Sequence, residues 1–366
     1  MKICAISTGF ASWAGGPEIA LHYLSQYWTK QGHEVYILCG SGPRNGPNGI
    51  KVIKLPFLSR RYFDRIPGID RVLFFLPTFE LESFTLLPFL LPYLKKINPH
   101  VVLTVTLPET IAPLMLGYPT VMISQAGTWY RFKLYEKADM IIVNEPLSLM
   151  RLRRLGFKVK YILNGTEIKE SSAESLEKLR IRYNIPDDGI KILTVARLDK
   201  QKRIHLLIEA FKLLEKKATL IVVGEGPELA RLKEKSTFTR NKVIFLGNVP
   251  HEEVLMLNEI CDVFSLPSFR EACPLSMIEA LCLGKSIVTN PEPRKIFLLG
   301  DYGTFVDVEN PREYASALLK ATLKKIDRNS LEFRKHINQF LWEKIAQEYI
   351  VMFKHVLEDK RNAWAK

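Results

Sequence analysis

The 366-residue chain lacks the cysteine arrangements that build disulfide frameworks or zinc sites. Its cysteines are odd in number and scattered, and no two of them form a CxxC pair. The five positions are Cys4, Cys39, Cys261, Cys273 and Cys282. This pattern fits buried thiols in a reducing compartment better than a secreted, disulfide-stapled scaffold, and it contains no motif for a metal site.

An uninterrupted apolar run that could cross a membrane is also missing. The longest apolar stretch, residues 72–94, contains two glutamates and three prolines, which argues against a transmembrane span. One interpretation is a broken, aromatic-rich helix pair that lies on a membrane surface or lines an acceptor site, and the other is an ordinary core-facing helix pair. The N-terminal apolar stretch is too short for a signal peptide. We therefore expect a cytoplasmic protein, with peripheral binding to the inner membrane face as the alternative.

The first predicted strand is not followed by a G-x-G-x-x-G dinucleotide fingerprint. The loop there reads SWAGGPEIA, in which Gly15-Gly16 and then Pro17 allow backbone at a helix start to approach a phosphate or a sugar. The second predicted strand ends in Cys39-Gly40 and not in an acidic residue. Both absences argue against an NAD(P)-dependent oxidoreductase, which is the less favoured enzyme class.

Positive charge is concentrated in the N-terminal half. The formal net charge is +13, and residues 1–165 hold 19 Lys and Arg against 10 Asp and Glu. Such a surplus indicates an anionic partner, which could be nucleic acid, a phosphorylated substrate or an anionic membrane surface. A surface charge that only keeps the protein in solution is the alternative.

Short apolar strands alternate with amphipathic helices along the chain, and the pattern restarts after residue 190. Strands that are apolar throughout predict parallel sheets covered by helices on both faces. Two such sets predict an α/β protein with two Rossmann-like, doubly wound domains. The apolar pattern lapses over residues 163–175, so the boundary is predicted there. Ligands of such domains bind at the carboxyl ends of the strands, and we expect a cleft there between the two sheets.

Two carboxylates stand eight residues apart in the stretch 268–290. Glu271 is predicted in a loop, and Glu279 lies inside a helix that begins at Pro274 and ends at Gly284. Eight helical residues span about 12 Å, which is close to the distance from the ribose to the sugar of a folded nucleotide-sugar. Carboxylates accept hydrogen bonds from sugar hydroxyls. The alternative is that these glutamates cap a helix or form salt bridges.

The N-terminus of that helix lies between the two carboxylates. The backbone N–H groups of Cys273, Leu275 and Ser276 are predicted to be free for an anion such as a diphosphate.

Two cations follow the first strand of the second set, in the sequence VARLDKQKR. Arg197 and Lys202 can neutralise a diphosphate and stabilise it as a leaving group. The alternative is an ordinary solvated basic loop. After the next strand, Gly224 and Gly226 bracket a turn that leaves room for a flat base, unless they serve the turn alone.

The order and placement of these residues resemble the family 4 retaining glycosyltransferases of the GT-B fold. The resemblance rests on Gly15-Gly16, on Arg197-x4-Lys202, on the GxGP turn at 224–227 and on Glu271-x7-Glu279. It covers nearly the whole chain and is strongest over residues 190–315. It implies a hexosyltransferase-type enzyme with a nucleotide-diphosphate-sugar donor, retained anomeric configuration and a front-face route. It also implies no metal and no other cofactor, no nucleic acid partner, and a saccharide or lipid-linked acceptor.

The family pattern also implies roles for individual positions. Glu279 would bind the ribose hydroxyls, Glu271 the donor sugar, Arg197 and Lys202 the diphosphate, Gly15 and Gly16 the phosphates, and Asn248 and Val249 the edge of the base. Residues 1–167 would form the acceptor-side domain and residues 168–340 the donor domain. A C-terminal helix over residues 341–366 is expected to pack back on the first domain.

The sequence departs from the family pattern at three places. Ala272 replaces the glycine that usually follows the first glutamate, and NPEPRKI replaces a glycine-rich turn after the strand at 286–289. Gln125 stands where the family often has a histidine. We predict that Gln125 orients the donor sugar. The alternative is a catalytically degenerate member that binds a nucleotide or a sugar without turning it over.

Overall fold

The computed structural model describes residues 1–11, 15–43, 45–63, 78–124 and 137–364. The chain divides into two compact units. One comprises Met1–Asn164 together with Trp342–Lys366, and the other comprises Gly165–Leu341.

The first unit contains a seven-stranded parallel sheet with the strand order β3-β2-β1-β4-β5-β6-β7. Its strands are β1 Lys2–Ile6, β2 Glu34–Gly40, β3 Lys51–Leu55, β4 Val101–Thr104, β5 Thr120–Ile123, β6 Met140–Val143 and β7 Val159–Tyr161. The helices among them are α1 Gly16–Lys30, α2 Arg60–Phe63, α3 Thr78–Ile97, α4 Leu107–Met115 and α5 Pro146–Arg154. The central strands β1 and β4 are almost wholly buried, as expected of a parallel sheet between layers of helices.

Helix α3 differs from the broken helix pair that its prolines suggest. It is one helix of 20 residues with Pro88 and Pro92 inside it. The prolines are four residues apart and exposed, so the carbonyl groups that lose an intrahelical partner face water. On the opposite face, Leu86, Leu90 and Leu94 are fully buried in a core cluster with β1, β2 and β4. Burial of that face offsets the destabilising effect of the prolines. Of the two interpretations of this stretch, the one in which it packs against the core is correct for residues 78–97, although as one helix and not a pair.

The second unit contains a six-stranded parallel sheet with the order β10-β9-β8-β11-β12-β13. Its strands are β8 Ile190–Val195, β9 Ala218–Val223, β10 Lys242–Gly247, β11 Val263–Ser265, β12 Ser286–Thr289 and β13 Gly303–Phe305. Its helices are α6 Ala173–Arg182, α7 Ile204–Lys212, α8 Leu229–Ser236, α9 His251–Ile260, α10 Leu275–Cys282, α11 Pro293–Leu299, α12 Pro311–Ala321 and α13 Leu331–Asn338.

Both sheets have the doubly wound strand order. Numbered within each sheet, the strands lie in the order 3-2-1-4-5-6, and the first sheet adds a seventh strand at its end. The predicted pair of Rossmann-like parallel sheets is therefore confirmed. In the second unit the strand order reverses between β8 and β11, and ligands of doubly wound sheets bind beyond the carboxyl ends at such a point. The loops that follow these two strands, residues 196–203 and 266–274, are the ones that position a site.

The last helix, α14 Trp342–Trp364, belongs to the first unit, where it packs on α1. The indole Nε1 of Trp28 donates to the Ala346 carbonyl at 3.2 Å, and the rings of Tyr23 and Trp342 stack with centroids 5.8 Å apart. Trp28 and Trp342 are both buried. None of the helices in the described ranges is long and apolar enough to cross a membrane.

Candidate active site

The two loops at the reversal point of the second sheet are joined by an ion pair between predicted site residues. After β8 the chain makes a 3-10 turn, Lys200–Lys202. Asp199 is its N-cap, and the Asp199 side chain accepts a hydrogen bond from the Lys202 amide. The Nζ of Lys202 lies 2.6 Å from Oε1 of Glu271, in the loop after β11. Their side chains are 21% and 9% exposed, so most of this pair is shielded from water. The structure thus brings a predicted phosphate ligand and a predicted sugar ligand into direct contact.

Arg197, the other predicted cation, is not held in the same way. Its side chain is exposed, and no ion pair or side-chain hydrogen bond to it is seen among the described residues. The backbone on either side of it is fixed, because Ala196 and Leu198 donate their amides to the carbonyls of Val223 and Glu225. The guanidinium therefore sits on a rigid loop and is available to an incoming anion.

Glu279 lies inside α10 and is paired with a histidine that sequence reasoning did not single out. Its side chain is 3% exposed, and its Oε1 lies 2.7 Å from Nε2 of His251. His251 is the first residue of α9, which follows β10, so it too lies at a carboxyl end of the sheet. In the sequence, the one feature that could have pointed to His251 is its position at the start of a helix that follows a strand.

Helix α10 begins one residue later than predicted, because Pro274 is the N-cap and Leu275 is the first helical residue. A proline at the start of a helix fits either position, since it has no N–H to contribute. The hydroxyl of Ser276 donates to the Val195 carbonyl at 3.0 Å, which ties the helix N-terminus to the end of β8. Cys273 is buried beside it. The first amides of such a helix have no partner within the helix and can bind an anion.

The glycines after β9 are required by the close approach of protein backbone. Gly224 has φ +122°, and a Cβ there would lie 2.0 Å from the Ala196 carbonyl oxygen. A Cβ on Gly226 would lie 2.3 Å from the Leu198 carbonyl oxygen. Both contacts are with the loop that carries Arg197. These glycines therefore allow that loop to pack against the turn, and a role of Gly224 toward a base stays a prediction.

The predicted base-binding residues follow β10. The exposed Asn248 donates from Nδ2 to Oε2 of Glu225 at 3.0 Å, and Val249 is half-buried next to it. The contact links the turns after β9 and β10 at the same edge of the sheet.

In the first unit, the predicted glycine pair stands at the start of α1. Gly15 is the N-cap and Gly16 the first helical residue. Gln125 lies outside the described residues, so its predicted role stays a prediction. The loops after β1 and β4 are joined by Glu109, a fully buried carboxylate that accepts from the Thr8 amide and hydroxyl and from the Thr106 amide, all at 2.7–2.9 Å.

The cysteines are free and buried, as predicted. Within the part of the chain that the structure describes, no three His, Cys, Asp or Glu side chains are grouped so as to hold a metal ion. Two cationic side chains, those of Arg197 and Lys202, lie on the loop after β8. The site therefore combines an ammonium, an exposed guanidinium, a helix N-terminus and two carboxylates, a set that can bind a diphosphate and hydroxyl groups.

Two family models match the chain, one for each half. Residues 14–170 match the model described as Glycosyltransferase Family 4. Residues 175–339 match the model described as Glycosyl transferases group 1. Together they cover most of both units and include every predicted site residue.

Two curated relatives and one solved structure illustrate what the chain is similar to. An uncharacterized glycosyltransferase of Methanocaldococcus jannaschii is 29% identical over 242 residues, which is 61% of this chain and 60% of the relative. The alpha-monoglucosyldiacylglycerol synthase of Streptococcus pneumoniae is 29% identical over 200 residues, or 50% of this chain and 45% of the relative. The matched segments thus span about half of the lengths of these relatives. HepE of Anabaena, solved with UDP and glucose, has a TM-score of 0.75 at 18% identity, covering 97% of this chain and 99% of its own.

Proposed function

Since this chain belongs to the group 1 glycosyltransferases of family 4, we propose that it transfers a sugar from a nucleotide-diphosphate-sugar to a saccharide or lipid-linked acceptor. The observation that carries the proposal is the contact between Lys202 and Glu271 at the reversal point of the second sheet. It brings an ammonium that we assign to the phosphates next to a carboxylate that we assign to sugar hydroxyls. The UDP and glucose bound to the structurally similar HepE support the same class of donor.

Lys202 can serve both partners at once. An ammonium has three N–H donors, and the bond to Glu271 uses one of them. The remaining donors are available to the diphosphate, whose negative charge grows as its bond to the sugar breaks. Glu271, held by the same ammonium, would accept from hydroxyls of the donor sugar. Arg197 would add a second cation to the diphosphate.

We further propose that transfer proceeds with retention and without a metal ion. In a front-face route the bond from the anomeric carbon to the diphosphate breaks, and the bond to the acceptor oxygen forms on the same face. The acceptor proton passes to the leaving phosphate oxygen, so no side chain has to act as the base. Cationic side chains and the N-terminus of α10 supply the charge stabilisation that a metal would otherwise give.

The test of the proposed activity is a donor panel read by mass spectrometry. UDP, GDP and ADP sugars are screened first by thermal shift, because a bound donor raises the melting temperature. The stabilising donors are then incubated with saccharide and lipid-linked acceptors, and a new glycoside with an unchanged anomeric configuration is expected. A nucleotide that binds while no donor is consumed with any acceptor would favour the degenerate binder. Stabilisation by NAD(P) alone would favour the oxidoreductase.

A variant of Gln125 tests whether this residue takes part in turnover, as the active-enzyme hypothesis proposes and the degenerate-binder hypothesis does not. We expect Gln125→Ala to lower turnover and to leave nucleoside diphosphate affinity unchanged, because its amide is proposed to orient the sugar. An amide does not titrate, so the wild-type rate profile should show no step near pH 6.5 that this variant removes. Steady-state kinetics across pH, with calorimetry on the nucleoside diphosphate, measure both. Equal turnover in the variant and the wild type would contradict the role.

A surface on the first unit supports the proposal that the protein also binds anionic membranes. Helix α5 exposes Leu147 and Met150, and Leu155 directly follows the helix with 57% of its surface exposed. These apolar side chains recur at helical spacing, and Arg153 and Arg154 lie in the last turn. We call these five residues the α5 surface. Exposed apolar side chains beside arginines suit a lipid surface with negative headgroups.

The α5 surface predicts salt-sensitive binding to anionic vesicles. The protein should co-sediment with vesicles that contain phosphatidylglycerol and leave them as salt rises, while neutral vesicles bind it weakly. The double variant Arg153→Glu with Arg154→Glu should lose this binding. A matched control makes the same charge change at exposed arginines of the second unit, Arg240→Glu with Arg312→Glu, and should keep it. Equal binding to both vesicle types, or to neither, would favour a soluble acceptor.

A further inference from the structure

The loop that carries Glu271 is held along its length by side chains from three other parts of the chain: the loop after β8, the end of β12, and α11. We call residues 266–271 the Glu271 loop. Five of its six carbonyl groups accept hydrogen bonds from side chains. The Leu266 carbonyl accepts from Thr289 Oγ1 at 2.7 Å and from Lys295 Nζ at 3.2 Å, and the Ser268 carbonyl accepts from Lys295 Nζ at 2.8 Å. The other three bonds are Arg203 Nε to the Pro267 carbonyl at 2.9 Å, Gln201 Nε2 to the Arg270 carbonyl at 2.9 Å, and Arg294 Nη1 to the Glu271 carbonyl at 2.8 Å. The loop is therefore fixed by its backbone, independently of the ion pair at its end.

Lys295 is fully buried and makes two of these hydrogen bonds. It lies in α11 with no exposed surface, and besides the two loop carbonyls its Nζ donates to Thr289 Oγ1 at 3.0 Å and Asn290 Oδ1 at 2.7 Å. One side chain thus joins the end of β11 to the end of β12. Burying a lysine is costly unless its donors are satisfied, and here four oxygen atoms surround three N–H donors.

The segment that supplies this lysine is the one that departs from the family pattern. Residues 290–296 replace the expected glycine-rich turn, and they contribute both Arg294 and Lys295 to the Glu271 loop. The departure therefore supplies bonds that hold the loop in place. These bonds fix the loop whose Glu271 carboxylate we assign to the donor sugar.

The charged state of Lys295 is sensitive to pH near neutrality. Burial lowers the pKa of Lys295 to about 7, and Arg203 and Lys202 also lower it, while Glu271 and Glu292 act in the opposite direction. The ammonium predominates below this pKa. As the pH rises through it, one of the three N–H donors is lost.

We propose that Lys295 is a positioning residue for sugar transfer, which fixes the Glu271 loop and thereby sets where the Glu271 carboxylate meets the donor sugar. The inference rests on the proposed role of Glu271. It differs from a purely structural role because it predicts a selective loss of turnover. The diphosphate and nucleoside are assigned to Arg197, Lys202 and Glu279, so affinity for a nucleoside diphosphate should be largely kept.

The first test replaces Lys295 by methionine, which has similar length and no donor. In Lys295→Met we expect faster hydrogen–deuterium exchange in the peptide containing residues 266–271, a kcat at least tenfold lower, and nucleoside diphosphate affinity within threefold of wild type. Lys285→Met is the matched control, because Lys285 is a half-buried lysine directly before β12 and donates to the Glu259 carbonyl. It should leave exchange in the Glu271 loop and kcat unchanged.

The second test keeps the side chain and changes its charge environment, so it applies even where Lys295→Met does not fold. Wild-type kcat should fall as the pH rises above about 7, and Asn290→Asp should shift that fall to higher pH, because a carboxylate beside the ammonium raises its pKa. A fall that does not move in Asn290→Asp would overturn the proposal.

The exchange experiment separates failure of this inference from failure of the proposed function. Unchanged exchange in a folded Lys295→Met would overturn the inference whatever the enzyme turns over, and so would faster exchange with wild-type kcat. A wild-type protein that consumes no donor would overturn the proposed function. In that case exchange and binding still decide whether Lys295 fixes the loop, and unchanged exchange would again reject it.

Discussion

Replacing Lys202 by alanine should lower kcat by about 10²–10³-fold, while KM for the donor changes far less. The reason is that negative charge on the diphosphate is larger in the transition state than in the bound donor. Loss of the ammonium therefore destabilises the transition state more than the bound donor. Arg197→Ala should act in the same direction. Steady-state kinetics at several donor concentrations give both constants.

The same turn of the chain provides a control for this prediction. Lys200 is an exposed lysine two residues earlier, and Lys200→Ala should leave both constants near their wild-type values. If Lys202→Ala or Arg197→Ala raised KM and left kcat unchanged, the cation would be a ground-state anchor and the leaving-group role would be wrong.

The ion pair adds a second consequence, because Lys202→Ala leaves the carboxylate of Glu271 shielded from water without its cation. Thermal unfolding should therefore show a loss of stability in Lys202→Ala that is smaller when Glu271→Gln is also present. The double-mutant cycle separates this effect from catalysis. Full additivity of the two melting-temperature changes would mean that the pair contributes nothing in solution.

The fold was predictable because its signal is local. Strands such as β4 and β9 are apolar at every position and short, which is typical of parallel strands buried on both faces. Placing Arg197, Lys202 and Glu271 in loops after strands then followed from the rule that doubly wound sheets bind ligands at that edge.

The contacts within the site could not be read from the sequence, because they join residues far apart in the chain. Nothing in the spacing links His251 to Glu279, or Lys295 to Ser268. The stretch NPEPRKI indicated only that a glycine turn was missing, and the bonds that replace it depend on how α11 packs. Helix α3 shows the same limit, since burial of one face outweighs two prolines that locally predict a break.

Removing the carboxylate of Glu279 should weaken nucleoside diphosphate binding by about ten- to a hundredfold, since charge-assisted hydrogen bonds are worth roughly 1.5–3 kcal/mol. The loss should fall on binding of the nucleoside, with the sugar end unaffected. Calorimetry on Glu279→Ala with the nucleoside diphosphate chosen by the donor panel measures it. Glu252→Ala, at an exposed glutamate next to His251, is the control and should bind as the wild type does.

The pairing with His251 makes this prediction sharper. Oε1 of Glu279 is occupied by the imidazole at 2.7 Å, so its other oxygen is the one we assign to the ribose, and the histidine would fix its direction. His251→Ala should therefore weaken binding less than Glu279→Ala does, and the double variant should bind no worse than Glu279→Ala alone, because the histidine acts through the carboxylate. His251→Gln, whose amide can donate to the same oxygen, should recover part of the affinity. Additive losses in the double variant would mean that His251 contacts the nucleotide itself, and unchanged affinity in Glu279→Ala would remove the ribose assignment altogether.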